Sequence, residues 1–297
     1  MNSDLFLQFL INGIALGSLY ALIAIGYTII YGVVQLINAA HSEFFMMAAF
    51  LTMWGSLQYH LPWYISFPIS TLIVIGVGLF VNRFVYRPLY EQKISSFIGA
   101  VSVSFFLQNL FVVMFTARAK PFPRPEILNE VITFGNVALP VVNIFILAVS
   151  VILFVLLHLL VTYTNIGRAM RAISKDPEAS QLMGVNPAQI IAFSFVLSTF
   201  FASVGAFMYC GKFPYVDPFT GVIPGLKAFI GAVIGGIGSI PGAMLGGFLL
   251  GMGEIMIVAA FPELTSYRDI FAYVLLILFL LFRPGGIFNV RIREEKV

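Results

Sequence analysis

Eight long apolar runs, near residues 5–33, 36–57, 63–82, 94–117, 143–163, 189–211, 225–260 and 269–282, constrain this chain more than anything else in it. A helix needs about 20 mostly apolar residues to cross the hydrocarbon core of a bilayer, and most of these runs suffice for one crossing. Hydrophobic residues make up 60% of the 297 and charged residues only 10%, against about 25% charged in soluble domains. No single soluble core hides that much apolar surface, so lipid must be part of the solvent. Within the runs hydrophobicity is continuous rather than alternating, which points to helices and away from a β-barrel. The expectation is an all-α polytopic membrane protein of about 8 transmembrane helices, with residues 1–297 forming one transmembrane domain.

The run at 225–260 is too long for one span. It is broken at GGIGSIPG, where Gly235, Gly236, Gly238, Pro241 and Gly242 cannot all continue a regular helix. Two short helices or a re-entrant hairpin both fit. The first run, Leu5 to Tyr31, has no basic residues before it and exceeds a signal-peptide core of about 7–15 residues, so it reads as a retained span. Lys and Arg then orient the bundle. Arg83, Arg87 and Lys93, then Arg168, Arg171 and Lys175, then Arg283, Arg291, Arg293 and Lys296 share one side if the spans alternate. That side, with the C-terminus, is expected to be cytoplasmic. Arg118, Lys120 and Arg124 fall on the opposite side, and the side of the N-terminus stays open. The net charge of +3 is dispersed, so no nucleic-acid footprint is expected. Cys210, the single cysteine, lies in an apolar run and reads as packing.

One segment, TNIGRAMRAISKDPEASQLMGVNPAQIIAF at 164–193, is polar where its neighbours are apolar. Arg168, Arg171 and Lys175 recur at helical spacing. Asp176-Pro177-Glu178 is a fresh helix start, with a capping Asp, Pro at the first helical position and an acid in the first turn. Gly184 suits the end of that helix, and Asn186-Pro187 opens the next span. The reading is a short cytoplasmic helix or helix pair over about 164–188, lying across the base of the bundle.

A second polar cluster interrupts the oily background at INAAHSEFFMMAAF, 37–50. At about 100° per residue, Asn38, His41, Ser42 and Phe45 share one face of a helix starting near Asn38. Glu43 lies about 200° from His41, so the two do not pair as helical neighbours. A metal site or general-base dyad from this helix alone is therefore not expected, and no residue is assigned a catalytic role. Two readings stay open: a polar patch on a translocation path, and hydrogen-bonded glue between helices. Glu43 and Glu254 stand inside predicted spans, where a charge needs a partner, a cavity or a helix terminus. SEFFMMAAF at 42–50 and GEIMIVAAF at 253–261 share Glu, Ala, Ala and Phe at identical offsets, a candidate internal repeat. The glycines at 231–253 fit close helix packing and equally a broken helix that offers backbone groups to a substrate.

Glu178, Ala179, Ser180 and Gly184 spell E-A-S-x-x-x-G, which closely resembles the E-A-A-x-x-x-G signature of permease subunits of ABC importers. The downstream I-x-L-P of that signature is absent; the chain runs FSFVLS. Further blocks, GSLYALIAIGYTIIYGVVQLINAAHSEFFMMAAF, RAMRAISKDPEASQLMGVNP, GLKAFIGAVIGGIGSIPGAMLGGFLLG and LLFRPGGIFN, resemble the LivH-type permeases of branched-chain amino-acid ABC importers in order and over most of the chain. N-A-A-H-S-E stands where that family usually reads N-F-A-H-G-E.

The resemblance implies a bacterial inner-membrane, multi-pass subunit that works in a complex. Its partners would be two ATP-binding subunits, a second permease chain of related type or a second copy, a periplasmic amino-acid-binding protein and membrane lipid. Arg168, Asp176, Glu178, Ala179, Ser180 and Gly184 would couple to the ATPase. Asn38, His41, Ser42, Glu43, Gly235, Gly236, Gly238 and Glu254 are candidates for the translocation path. The expected cargo is branched-chain or other apolar amino acids, with urea or short amides as the alternative. The chain is not expected to be an enzyme or to hold a cofactor or metal: GAVIGGIGS lacks the Lys of a phosphate-binding loop, so ATP chemistry would lie in a partner. A stand-alone secondary carrier is the rival of different class, with Glu43 and Glu254 as ion-coupling groups.

Overall fold

A computed structural model describes residues 3–90, 92–135 and 137–288. Eleven helices account for most of them: α1 (Ser3–Val34), α2 (His41–Gln58), α3 (Trp63–Val81), α4 (Lys93–Phe115), α5 (Val141–Tyr163), α6 (Asn165–Lys175), α7 (Pro177–Leu182), α8 (Pro187–Lys212), α9 (Val222–Gly235), α10 (Ile240–Ala260) and α11 (Arg268–Phe282). Seven are long and apolar enough to cross a membrane, α11 together with the helical turn from Thr265; α2 is not among them, and α9 is a shorter apolar helix. The protein is thus an all-α polytopic membrane protein. Two small antiparallel pairs decorate one end: β1 (Lys120–Pro121) with β4 (Tyr215–Val216), and β2 (Val131–Phe134) with β3 (Val137–Pro140).

Local chemistry sets the helix boundaries. Pro at a first helical position needs no amide partner, and Pro177 and Pro187 open α7 and α8 in this way. Asp176, Asn186 and Ser239 cap α7, α8 and α10 by accepting from backbone amides in the first turn. Gln35, in the left-handed region at φ 57°, ends α1. The long run at 225–260 resolves into α9, a turn and α10, with Gly236 at φ 110° and Gly238 at φ 97°.

Burial separates centre from rim. The spans of α1 and α8 are 72% and 67% buried, while those of α4, α5 and α11 are 17%, 17% and 6% buried and present apolar surface suited to lipid. Small residues allow α1 to approach α10: a Cβ on Gly251 would sit 2.6 Å from Gly17 Cα, and one on Gly247 2.7 Å from Ala21 Cα. Gly231 meets Gly247 between α9 and α10 in the same manner, at 2.6 Å.

The two short helices begin deep inside the bundle. His41, the first residue of α2, lies against Gly26 of α1 and Ser198 of α8. Gly26 precedes the end of α1 by eight residues, so α2 starts about 12 Å inside. Gly221 and Gly225, at the start of α9, lie against Ser42. From this meeting point the two helices diverge. In α2, Phe45 packs on Tyr209 and Phe50 on Phe115, so it runs toward the end bearing the β pairs. α9 runs to the opposite end, which carries α6 and α7, where Gly238 abuts Gly32.

This arrangement is an inverted repeat. A long helix, a non-helical re-entry, a short helix and two flanking helices make up α1–α4 and again α8–α11. α1 packs on α9 and α10 as α8 packs on α2 and α3, while α4 flanks α2 as α11 flanks α9. The short sequence echo does not mark it: 42–50 opens α2, whereas 253–261 closes α10, and the partner of α2 is α9.

Candidate functional site

Helix α2 starts at His41, not near Asn38 as the sequence suggests. Residues 35–40 are non-helical, because Gln35 turns the chain and Asn38 holds the re-entry loop. The Asn38 side chain Oδ1 accepts from Ala40 N at 3.1 Å and from the Tyr86 hydroxyl at 2.7 Å. The shared helical face of Asn38, His41 and Ser42 is therefore replaced by a loop residue beside the first turn of α2.

His41 is fully buried. Ser198 Oγ donates to Gly26 O at 2.8 Å and stands 3.0 Å from His41 Nδ1. A hydroxyl has one proton, so the arrangement that satisfies all three groups puts the imidazole proton on Nδ1. The Tyr27 ring lies 4.3 Å from the imidazole. His41 thus ties α2 to both central helices. Ser42 is half-buried, and its hydroxyl lies 3.4 Å from Ala39 O. Glu43 is 2% exposed, in the first turn of α2, where the helix dipole favours an acid. Its Oε1 accepts from Ser104 Oγ of α4 at 3.1 Å. His41 Nε2, Asn38 Nδ2 and Glu43 Oε2 have no partner among the described residues. The unmatched atoms of Asn38 and His41, where α2 and α9 converge, and of Glu43 on the α4 side of α2 make this a polar centre of the bundle.

Glu254 belongs to a second group. Lys227 of α9, 1% exposed, places Nζ 2.8 Å from Glu254 Oε1 and 2.6 Å from Asp269 Oδ1. Arg268 Nε approaches Glu254 Oε1 at 3.4 Å, and the Tyr20 hydroxyl donates to Oε2 at 3.3 Å. The cluster ties α1, α9, α10 and α11 together with two positive and two negative side chains. Sequence reading missed Lys227, which stands two residues inside an apolar run and resembles an end anchor. Its spacing from Glu254 across the Gly-rich hairpin is the signal that could have found it.

Gly235, Gly236 and Gly238 sit at the α6–α7 end and not at the polar centre. Gly235 packs on Gly242, and Gly238 lies beside Tyr31. The helix breaks in this stretch and its flanks pack closely on each other.

At that same end α6 buries Gly167, Met170 and Ile173 and turns Arg168, Arg171 and Lys175 outward or to its rim. Thr164 caps α6 by accepting from Gly167 N at 3.1 Å, and Asp176 caps α7 by accepting from Ala179 N at 3.0 Å. Gly184, at φ 85°, reverses the chain after α7. Arg168, Asp176, Glu178, Ala179 and Gly184 are exposed, whereas Ser180 is buried and donates to Asp176 O at 2.6 Å. Beside them Leu182 and Met183 are 89% and 85% exposed, a pair the sequence reading did not single out. Arg83, Arg87 and Arg283 lie at this end too, while Arg291, Arg293 and Lys296 lie outside the described residues. Among the described residues no group of three or more His, Cys, Asp or Glu side chains could hold a metal ion.

Residues 9–280 match the family described as "Branched-chain amino acid transport system / permease component". The chain is 38% identical to the high-affinity branched-chain amino acid transport system permease protein BraD of Pseudomonas aeruginosa, with 98% of each chain covered. It is 35% identical to the LivH protein of the same description from Escherichia coli, again over 98% of each. A probable branched-chain amino acid transport permease protein LivH of Methanocaldococcus jannaschii is 24% identical over 96% of this chain and 93% of its own. No solved structure matches.

Proposed function

This chain belongs to the family of branched-chain amino acid transport permeases, and from that premise we propose that it carries branched-chain amino acids inward as one subunit of an ATP-driven importer. The observation that carries the coupling part is the α6–α7 pair. Asp176 and Asn186 cap α7 and α8, so the segment is ordered without lipid, and α7 with the Met183 that follows it holds Glu178, Ala179, Leu182 and Met183 outward. Exposed large apolar side chains on an ordered polar element suit a protein partner. That partner is the ATP-binding subunit, one of two, and this end of the bundle faces the cytoplasm of the inner membrane. Arg83, Arg87, Arg168 and Arg171 support that orientation, which leaves the C-terminus cytoplasmic and the β-pair end toward a periplasmic amino-acid-binding protein. A second permease chain completes the complex.

Movement starts when the ATPase subunits close and push α7. The push passes through α6 and the start of α8 to Ser198, hence to His41 and the base of α2. The two short helices are the elements able to shift against each other, because each starts at the polar centre without a full span to anchor it. Asn38, Ser42 and Glu43 border that path. Glu254 is neutralised by Lys227 in this reading, which removes the reason to treat it as the ion-coupling group of a stand-alone carrier.

Cysteine placed at Ala179 or Leu182 in the assembled complex tests the docking. Cross-links to the ATP-binding subunit are expected, with yields that change when ATP is trapped. Cross-linking to no ATP-binding subunit would refute the coupling assignment.

A further inference from the structure

A cavity of about 650 Å³ opens beside α6, within the range of about 300–1,000 Å³ common for small-molecule sites. Its walls are the last turns of α1 and α5, the rim of α6 and the Gly238–Met244 corner joining α9 to α10. Buried Ile29, Val33 and Leu157 and half-buried Met244 make one wall apolar, while Arg171, His158 and Thr162 are exposed. Among the described residues no Asp or Glu lines it. Arg171 is exposed, and among the described residues its guanidinium makes one long contact, 3.4 Å to Thr162 O, which leaves most of its donors for a ligand. Thr28, fully buried, lines the cavity with a hydroxyl that has no partner among the described residues. The outer face of α5 beside the cavity is apolar and exposed at Val155, Leu156 and Leu159.

We propose that this cavity is a binding site for an anionic phospholipid, with its phosphate on Arg171 and an acyl chain against Val33, Leu157 and Met244. Three features select that chemistry. A cation without a facing carboxylate favours an anion. The apolar wall favours a ligand with a hydrocarbon tail. The position at the ends of α1 and α5 is the depth of lipid headgroups, where basic pockets between membrane helices take acidic lipids. A zwitterionic amino acid fits less well, since no carboxylate in the lining receives its ammonium group. The site joins α6 to the α9–α10 corner, so a bound lipid braces the element that carries Arg168 against the core. The binding claim does not depend on the import reading.

The test uses the purified full chain in phosphatidylcholine nanodiscs doped with dioleoylphosphatidylglycerol, and native mass spectrometry to count retained lipid. The wild type is expected to retain phosphatidylglycerol in preference to phosphatidylcholine. Arg171→Gln is expected to lower that retention about tenfold, the loss of charge-assisted hydrogen bonding. Met244→Trp, which fills the apolar part without touching the charge, is expected to lower it as well, while Lys175→Gln on the same helix leaves it unchanged. Equal retention in the wild type and Arg171→Gln overturns the proposal. So does equal loss in Lys175→Gln, which would mean general surface charge. Displacement of the lipid by millimolar inorganic phosphate would show a free-anion site, and displacement by leucine a substrate site; either also overturns it.

Discussion

Lys227 gives the sharpest energetic prediction. Its ammonium is 1% exposed and serves two carboxylates, Glu254 at 2.8 Å and Asp269 at 2.6 Å. Replacing it with Met removes the buried positive charge and leaves Glu254, itself 2% exposed, with the Tyr20 hydroxyl and with Arg268 at 3.4 Å. Arg268 is 47% exposed, so water screens its attraction. Stripping one partner from a buried ion pair costs about 3–5 kcal/mol; with Arg268 helping, the lower end applies, about 3 kcal/mol, or roughly 100-fold in the folded-to-unfolded ratio. Glu254→Gln should cost less, about 1–2 kcal/mol, because Lys227 keeps Asp269. The double variant Lys227→Met/Glu254→Met restores stability to within about 1 kcal/mol of wild type, since Arg268 and Asp269 still balance each other at 3.7 Å. Reversible unfolding by dodecyl sulfate in mixed micelles reads all three. A Lys227→Met variant as stable as wild type, or a double variant no better than the single, would refute the idea that charge compensation holds this cluster.

Other consequences concern the polar centre and the α6–α7 pair. A Cβ on Gly26 would land on the His41 ring, so Gly26→Ala should displace the imidazole, cost about 1–3 kcal/mol in overpacking and lower uptake. A thermal unfolding temperature and an uptake rate both equal to wild type would contradict that packing. Asp176→Ala removes the acceptor for Ala179 N and should destabilise α7 by about 1 kcal/mol. Amide exchange would quicken at residues 179–182 and stay unchanged in α1. Gly184→Ala meets open space but keeps φ 85°, so it should cost about 1–2 kcal/mol through backbone strain, read as faster exchange over the same residues.

Much of this architecture was legible because lipid imposes simple rules. Apolar run length located seven spans, and the capping chemistry of Asp176, Asn186 and Gly184 placed α7 and its ends correctly. The start of α2 was not legible: Leu36, Ile37, Ala39 and Ala40 are as apolar as the helix that follows, so hydropathy cannot register the non-helical re-entry. Lys227 was hidden for another reason: two residues inside an oily run, it passes for an end anchor. Its partner Asp269 stands at the start of another run, more than 40 residues away in the chain. The inverted repeat is carried by chain direction and depth, which leave almost no mark on residue identity. The apparent echo between 42–50 and 253–261 therefore pointed to the wrong pair of helices.

Leucine uptake into proteoliposomes bearing the assembled complex tests the central claim most directly. With binding protein outside and ATP inside, uptake should be ATP-dependent and should fall at least tenfold when Leu182 and Met183 are both changed to Asp, a loss of roughly 1.4 kcal/mol or more in coupling. Those side chains are exposed, so the variant should still fold. Uptake that continues at the wild-type rate without ATP-binding subunits would contradict the account.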